Sequence, residues 1–458
     1  MKSIPGPKTP TLFQKIQFIL NPLKTFESNA KKYGDIFTMV ADIGKAVIVN
    51  NPKELQQLLT KDDGNEYEVP GPKPLKPLFG GNSIFALEGD RHRRERKLLM
   101  PPLHGDRMRN YAELIRNITQ ETASKLVVGK IFIARKLMEE ITMQVLLQVV
   151  FGLYDSPQLL EIRSMLTDWI QFTADPLRAS ILFFPWLQKD LGPWSPWGKY
   201  QRQQQKLDEL LYAEIATRRA QLDPNCTDIL TLMLLAQDEE GQGMTDQEIR
   251  DELLTLLFSG HETTATGLTW AIYWLHRQPE VYQNLMQELA TVEADTDPMT
   301  IFRLPYLTAV CQETLRIYPP VMSTFLRQTK KTVELNGYQL ETGTNLHGSI
   351  YLTHHREDLY PEPKKFKPER FLERQFSPYE YLPFGGGQRR CIGTALANFE
   401  MRLVLATLLS NFEMELADNQ PVKPQRRGFT LGTSTGVKML MKGEYKQVEK
   451  KSPSVAVA

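Results

Sequence analysis

The chain has 458 residues, of which 41% are apolar and 24% are charged, an ordinary balance for a globular protein. This composition excludes a disordered, collagen-like or coiled-coil chain. Lys and Arg number 55 against 54 for Asp and Glu, so the formal net charge of +1 gives no general affinity for nucleic acid. Cys226, Cys311 and Cys391 are too few for a disulfide scaffold and indicate the cytosol. No stretch of about eighteen apolar residues occurs, so no transmembrane segment is expected.

The predicted elements are mostly helices, with a few short hairpins between them. Residues 1–10 are expected to form an irregular Pro-rich leader, residues 11–445 one folded domain and residues 446–458 a flexible tail. Alternating apolar residues over 36–49 predict two strands, and Asn336-Gly337 predicts a second hairpin. A third hairpin is predicted over 429–441, with its turn near Gly432 and Gly436. The sequence therefore predicts a mainly α, α+β fold.

The longest predicted helix opens at a capping box formed by Thr245 and Glu248 and ends near Gln278, before Pro279. Its length is roughly 50 Å at ~1.5 Å per residue. Residues 253–272 are apolar on all faces, which predicts a helix that passes through the core rather than over it.

A polar cluster, Ser-Gly-His-Glu-Thr-Thr, interrupts this helix at residues 259–264. Glycine costs about 1 kcal/mol inside a helix, and a buried carboxylate costs more unless it is paired. One alternative is a solvated face, which the large apolar neighbours disfavour. Another is a zinc site beginning at His261-Glu262, but the required second His is replaced by Ala265. The interruption therefore indicates a functional segment.

The most specific feature is Phe-Gly-Gly-Gly-Gln-Arg-Arg-Cys-Ile-Gly at residues 384–393. Its glycines permit a tight loop, and Cys391 precedes a predicted helix whose N-terminus lowers the pKa of a thiol. Arg389 and Arg390 add positive charge. The loop is neither a phosphate loop nor a CxxC motif. Two uses of a lone thiolate stay open at this point, a nucleophile served by a histidine base and an axial ligand of heme iron.

The loop resembles the heme-binding loop of the cytochrome P450 family, whose pattern Phe-x-x-Gly-x-Arg-x-Cys-x-Gly recurs here. Five fixed positions would match by chance on the order of once in ten thousand chains of this size. The resemblance implies that Cys391 is the axial ligand of the iron of heme b. The matching positions are Phe384, Gly387, Arg389, Cys391 and Gly393.

Further segments resemble the same family, in the family's order. Gly260, Glu262 and Thr263 resemble its oxygen-binding segment, where Gly260 would let the helix bulge and make room for oxygen, and Glu262 and Thr263 would deliver protons. Glu313, Arg316 and Arg370 resemble its structural Glu-x-x-Arg and Pro-Glu-Arg-Phe elements, which would hold the cysteine loop in place. The heme propionates would be bound by His92, where many members have Trp, and by Arg96 and Arg327.

The resemblance implies a monooxygenase that inserts one atom of O2 into a hydrophobic substrate, with long-chain fatty acids as the expected class. The alternatives are terpenoid- or carotenoid-type substrates, or a heme-binding sensor without catalysis. A peroxide-using or isomerising enzyme is disfavoured by the Glu262-Thr263 pair. The expected pocket walls are Ile84, Phe85, Leu254, Phe258, Ser259, Met322, Phe325, Thr433 and Ser434. An access channel is expected along Phe172 and residues 183–186.

Electrons must come from a separate protein, because the chain has no dinucleotide fingerprint and no room for a fused reductase. A basic cluster could steer an acidic ferredoxin or flavodoxin. We expect a cytoplasmic monomer, with the apolar residues 183–187 as a candidate for peripheral membrane contact. The basic cluster consists of Arg91, Arg93, Arg94, Arg96, Lys97 and Arg390.

Overall fold

A computed structural model describes residues 3–41, 44–62, 64–71, 75–103, 105, 107–152, 157–174, 188–192, 194–293 and 296–445. At 157–159 and 171–174 it describes the backbone alone. The predicted tail and the segment 183–187 lie outside the described residues, and so does the side chain of Phe172. Residues 3–10 form no helix or strand, but the Pro5 carbonyl accepts a hydrogen bond of 2.8 Å from the Thr38 amide.

Helices dominate the described chain, as the sequence predicts, and they are numbered here in chain order. The first nine are α1 (Thr11–Leu20), α2 (Pro22–Tyr33), α3 (Pro52–Thr60), α4 (Lys76–Phe79), α5 (Gly89–Leu99), α6 (Arg107–Asn110), α7 (Ala112–Ser124), α8 (Ala134–Phe151) and α9 (Pro157–Ala174). The others are α10 (Pro196–Ala220), α11 (Ile229–Leu235), α12 (Asp246–Arg277), α13 (Pro279–Leu289), α14 (Pro298–Phe302), α15 (Pro305–Ile317), α16 (Ile350–His354), α17 (Arg370–Glu373) and α18 (Thr394–Asn411).

Short strands form four small sheets in the part of the chain that the structure describes. The sheet β1-β2-β8-β5-β3 is the largest, β4-β12-β9 has three strands, and β6-β7 and β10-β11 are hairpins. The strands are β1 (Ile36–Ala41), β2 (Gly44–Val49), β3 (Tyr67–Glu68), β4 (Ile131–Ile133), β5 (Arg327–Thr329), β6 (Val333–Leu335), β7 (Tyr338–Leu340), β8 (Asn345–Gly348), β9 (Phe412–Leu416), β10 (Pro424–Arg427), β11 (Thr430–Thr433) and β12 (Lys438–Glu444).

Two of the three predicted hairpins are confirmed. β1 pairs with β2, and β6 pairs with β7 around Asn336-Gly337, where both residues have positive φ. The hairpin predicted over 429–441 is wrong, because β11 pairs with the preceding strand β10, while β12 pairs with β4 and β9. Gly436 and Val437 both adopt positive φ, and the chain leaves β11 there for a different sheet.

The predicted long helix is confirmed as α12. Thr245 caps it, since its hydroxyl accepts from the Glu248 amide at 3.2 Å and its amide donates to the Glu248 carboxylate at 2.8 Å. Most residues of α12 are buried, and the helix packs against α8, α15, α18 and β11. α12 is therefore the central element of the core, and the cysteine loop enters α18 beside it.

Candidate functional site

The cysteine loop is closed by backbone bonds before α18 begins. The Cys391 amide donates to the Phe384 carbonyl at 2.9 Å, and the Thr394 hydroxyl donates to the Cys391 carbonyl at 2.8 Å. Cys391 is accessible to solvent as a residue, although protein atoms surround its thiol on most sides. By contrast, Cys311 is fully buried.

The pKa of Cys391 differs from the sequence prediction. Burial raises the pKa of this thiol, and the opposing effects of Gly393, Thr394, Arg96 and Arg390 lower it by less. The predicted sources of stabilisation are thus present, but desolvation outweighs them. Bonding to a cation would compensate for that desolvation, as metal coordination does for thiolates generally.

One glycine of the loop is required by the geometry. Gly387 has φ +67°, and a side chain there would begin 2.2 Å from the Asp62 carboxylate and 2.6 Å from the Leu59 carbonyl. Asp62 in turn accepts from the Gln388 amide at 3.1 Å and from Arg327 at 2.7 Å. The loop is therefore held against the end of α3, a contact that the sequence analysis missed.

Two buried arginines connect the loop to other parts of the chain. Arg327 is fully buried and bonds to Asp62 and to the carbonyls of Phe325 and Gly386. Its buried Nε has no hydrogen-bond partner among the residues that the structure describes. Arg389 donates to the carbonyls of Ile84, Val69 and Leu87, so this guanidinium also fixes the fold around the loop.

His92 and Arg96 lie one turn apart on α5. Within the described part of the chain, neither side chain has a hydrogen-bond or ion-pair partner, although His92 is buried and Arg96 is half-buried. Burial, together with Arg389, Arg96 and Arg93, lowers the pKa of His92 to about 3, so its imidazole is neutral and can donate one N–H. Burial also lowers the pKa of Arg96, and nearby Cys391 opposes that shift. Such unpaired donors beside an accessible thiol fit a ligand that carries carboxylates, as heme b does.

The polar segment of α12 is built from hydroxyls that donate back along the helix. Thr263 donates to the Ser259 carbonyl at 2.6 Å and is only partly buried. The hydroxyl oxygen keeps lone pairs that can accept a hydrogen bond from a water or a ligand.

Glu262 has partners that the sequence analysis missed. It accepts from Arg135 of α8 at 2.7 Å and from the Thr430 hydroxyl of β11 at 3.0 Å. Arg135 also pairs with Glu139 at 2.6 Å. Because Glu139 is about one-third exposed at its side chain, this chain of charges connects Glu262 to the protein surface.

The bulge predicted at Gly260 is not found, while its predicted place beside the oxygen site stays a prediction. α12 continues as an α-helix through this residue, so the expected bulge is absent from the described helix. A Cβ at Gly260 would meet the Leu146 side chain at 3.1 Å, so this glycine also relieves a tight contact between α8 and α12.

The predicted structural network does assemble. Arg316 bonds to Glu313 at 2.7 and 2.9 Å, and Arg370 approaches the same carboxylate at 3.2 Å. Arg316 also donates to the His354 carbonyl at 2.7 Å, and the His354 imidazole accepts from the Leu382 amide at 2.9 Å. The network therefore reaches the chain two residues before Phe384, where the cysteine loop begins.

An aromatic cluster lies between α12 and the cationic groups. Phe258 contacts Phe79 at 5.2 Å between ring centroids, Phe79 contacts Phe85 at 5.5 Å, and Phe85 contacts Phe325 at 5.6 Å. The Arg389 guanidinium lies 5.8 Å from the centre of the Phe325 ring. Phe85, Phe258, Ser259 and Phe325 keep partly accessible surface, as residues that line a pocket do.

Other predicted wall residues differ from these four in accessibility. Leu254 has no accessible surface and belongs to the helix-packing core, and Met322 packs in a cluster with Phe18 and Tyr351. Ile84 and Thr433 are also buried, whereas Ser434 is exposed. The tip of the β10–β11 hairpin supplies Phe429 instead, whose ring lies 6.3 Å from that of Phe258.

An accessible cysteine on a closed glycine loop, with Arg96 nearby as a donor for a carboxylate, fits a heme-thiolate protein. The family model described as Cytochrome P450 matches residues 4–439. The chain therefore belongs to the cytochrome P450 family, whose members are monooxygenases that use heme b and electrons from redox partners.

Two mycobacterial proteins and one solved structure show the similarity. The chain is 35% identical to cytochrome P450 135B1 of Mycobacterium tuberculosis over 88% of this chain and 83% of that protein. It is 32% identical to cytochrome P450 138 of the same species over 96% of both chains. The cyanobacterial CYP120A1, solved with retinoic acid bound, superimposes with a TM-score of 0.83 at 25% identity, over 96% of this chain and 99% of that one.

Proposed function

We propose that this monooxygenase hydroxylates long-chain fatty acids. The observation that carries the proposal is the aromatic cluster, which leads from Phe258 on α12 to Phe325 beside Arg389. Such a wall offers an alkyl chain a dry contact surface next to Ser259 and Thr263. Burying twelve to sixteen methylenes would contribute roughly 10–13 kcal/mol before ordering costs, at about 0.8 kcal/mol each.

When bound, the heme supplies the capacity to activate O2. Cys391 would ligate its iron, while Arg96, His92 and the free Nε of Arg327 would bind its propionates. Thr263 would hold a water beside the oxygen site through its free lone pairs, and Glu262 would pass protons from the surface side. Arg135 keeps Glu262 oriented during this transfer, since the two side chains are joined at 2.7 Å.

Fatty acids should bind according to chain length. We expect saturated and unsaturated long-chain acids to displace the heme water and raise the iron spin state at micromolar concentration, whereas short-chain acids fail because they bury too few methylenes. Optical titration of the holoenzyme with a chain-length series measures this directly. A response to terpenoid acids with none to any fatty acid would contradict the substrate class but leave the monooxygenase assignment intact.

A terpenoid-type acid is the second candidate, favoured by the retinoic acid bound in the structurally similar CYP120A1. Both candidates are apolar chains that end in a carboxylate, so the same pocket suits either. Titration with retinoic acid beside a fatty acid of similar length separates them. Product analysis with oxygen and an electron-transfer system then shows which ligand is oxidised, and turnover of either one would exclude a heme sensor without catalysis.

Thr263→Ala should leave heme binding intact but divert electrons into hydrogen peroxide, because the hydroxyl that directs protonation is lost. The ratio of product to electrons consumed is the measurement, and we expect a fall of at least about tenfold, since general acid–base catalysis typically contributes about a hundredfold or more. Thr269→Ala is the matched control, since Thr269 makes the same bond, to the Ala265 carbonyl at 2.6 Å, but is fully buried. Equal coupling in Thr263→Ala and wild type would remove this role.

A ferredoxin or flavodoxin is proposed as the electron donor, with exposed Arg390 beside Cys391 as one contact. Much of the predicted basic cluster is already paired within the chain. Arg94 bonds to Asp238 at 2.6 Å, Lys97 bonds to Glu239 at 2.7 Å, and Arg93 pairs with Asp90. The docking charge is therefore smaller than the sequence suggests.

A further inference from the structure

Helix α1 is turned with its apolar face outward. Five of its ten residues are large apolar side chains that are 48–70% exposed. At 3.6 residues per turn they fall within an arc of about 120°. These residues are Leu12, Phe13, Ile16, Ile19 and Leu20.

The inner face fixes this orientation. Gln14 is buried, and its side chain donates to the Thr9 carbonyl at 2.7 Å and accepts from the Val40 amide of β1 at 3.1 Å. Phe18 is also buried, with its ring 5.4 Å from that of Phe26. A polar side chain points inward while leucine and isoleucine point outward, so the exposed face is specified by packing.

Lysines outnumber acids on α1 and in the segments next to it in the chain. Residues 3–33 contain five lysines and one acid, Glu27, which pairs with Lys364 at 2.9 Å. Among the described residues, Lys8, Lys15, Lys24 and Lys31 have no ion-pair partner. Exposed apolar side chains flanked by unpaired lysines are the pattern of helices that lie in the interface of an anionic bilayer.

We propose that the outer face of α1 docks on the surface of an anionic lipid bilayer. The apolar side chains would insert between headgroups, and the lysines would meet lipid phosphates. At ten residues α1 is too short to cross a membrane, and in the described residues no helix is long and apolar enough to do so. The helix therefore lies along the surface.

Docking would bring the pocket side of the protein close to the lipid. Phe18 of α1 packs in one cluster with Leu431 of β11, and the Arg426 guanidinium of β10 lies 5.8 Å from the Phe18 ring. The tip of this same β10–β11 hairpin carries Phe429, which contacts Phe258. An apolar substrate dissolved in the bilayer would thus have a short path to the aromatic cluster. Docking itself requires no turnover and does not depend on the substrate class.

The test is co-sedimentation of the holoenzyme with vesicles of phosphatidylcholine, alone or mixed with phosphatidylglycerol. We expect binding to the mixed vesicles that weakens with salt, since the Debye length falls from ~10 Å at 0.1 M to ~3 Å at 1 M. The triple variant Leu12→Ser, Ile16→Ser, Leu20→Ser should bind more than about tenfold less tightly. All three side chains are exposed, so its heme spectrum and melting temperature should match wild type.

The matched control replaces three equally exposed apolar residues far along the chain, Val127→Ser, Val128→Ser and Ile131→Ser, which are 58–63% exposed in wild type. It should bind vesicles like wild type. Equal binding by both triple variants, no binding by wild type, or equal affinity for neutral and anionic vesicles would each overturn the proposal. The proposal would also be overturned if the wild-type protein formed a dimer and did not bind vesicles, and the α1 variant abolished that dimer. The exposed face would then bind a second copy of the chain.

Discussion

Replacing Cys391 with serine should abolish the thiolate signature in the optical spectrum of the reduced, carbon-monoxide-bound protein. A hydroxyl does not donate electron density as a thiolate does, so oxygenation should fall on the order of a hundredfold or more, about 2.7 kcal/mol. Cys391 is the cysteine that combines accessibility with closeness to Arg96 and the start of α18.

Cys226→Ser is the control for this substitution, because Cys226 lies on a loop with Asp223 as its partner at 3.8 Å. It should keep the wild-type spectrum and activity. An unchanged carbon-monoxide spectrum in Cys391→Ser would show that another group binds the iron, and the assignment of the loop would then be wrong.

The sequence was most informative where the deciding residues are close together in the chain. The capping box of α12 lies within residues 245–248, the cysteine loop within 384–393, and the Glu313–Arg316 pair within one helical turn. In each case local spacing determines geometry, so the residues that the pattern names are the residues that meet.

The missed contacts join residues that are far apart in the chain. Asp62 reaches Arg327 across 265 positions, and Arg135 reaches Glu262 across 127. No local pattern links such pairs, and Asp62 in Lys-Asp-Asp-Gly has the composition of an ordinary turn. Most residues of helix α8 are apolar, so Arg135 at its start was a usable signal, because an arginine that packs into a core helix requires a partner.

Two other errors have a physical cause rather than a missing pattern. The sequence prediction of a lowered pKa for Cys391 took account of charges and the helix dipole but not of burial. Burial has the larger effect on this pKa in the folded chain. The bulge expected at Gly260 is absent because α12 stays regular there, with the Leu146 side chain of α8 packed close to this glycine. Both depend on what packs against the residue, which the sequence does not state.

Glu313→Ala should produce the largest loss of stability among the substitutions considered. Glu313 and Arg316 are fully buried at their side chains, and removing the carboxylate leaves Arg316 without its carboxylate partner and Arg370 without that contact. Breaking a buried ion pair by removing one partner typically costs about 3–5 kcal/mol. We expect a loss of that size in the free energy of unfolding, measured by urea denaturation.

Glu121→Ala is the matched control, because Glu121 also pairs along a helix, with Lys125 at 2.9 Å, but both side chains are more than 60% exposed. Such a pair contributes about 0.3–0.5 kcal/mol, and its loss should be barely measurable.

The loss of stability in Arg370→Met should fall between the two, since the contact of Arg370 with Glu313 is longer at 3.2 Å and the bonds from Arg316 to Glu313 persist. Heme retention should follow the same order, because the network holds His354 against the Leu382 amide ahead of the cysteine loop. Similar losses of stability in Glu313→Ala and Glu121→Ala would show that the network does not support the fold.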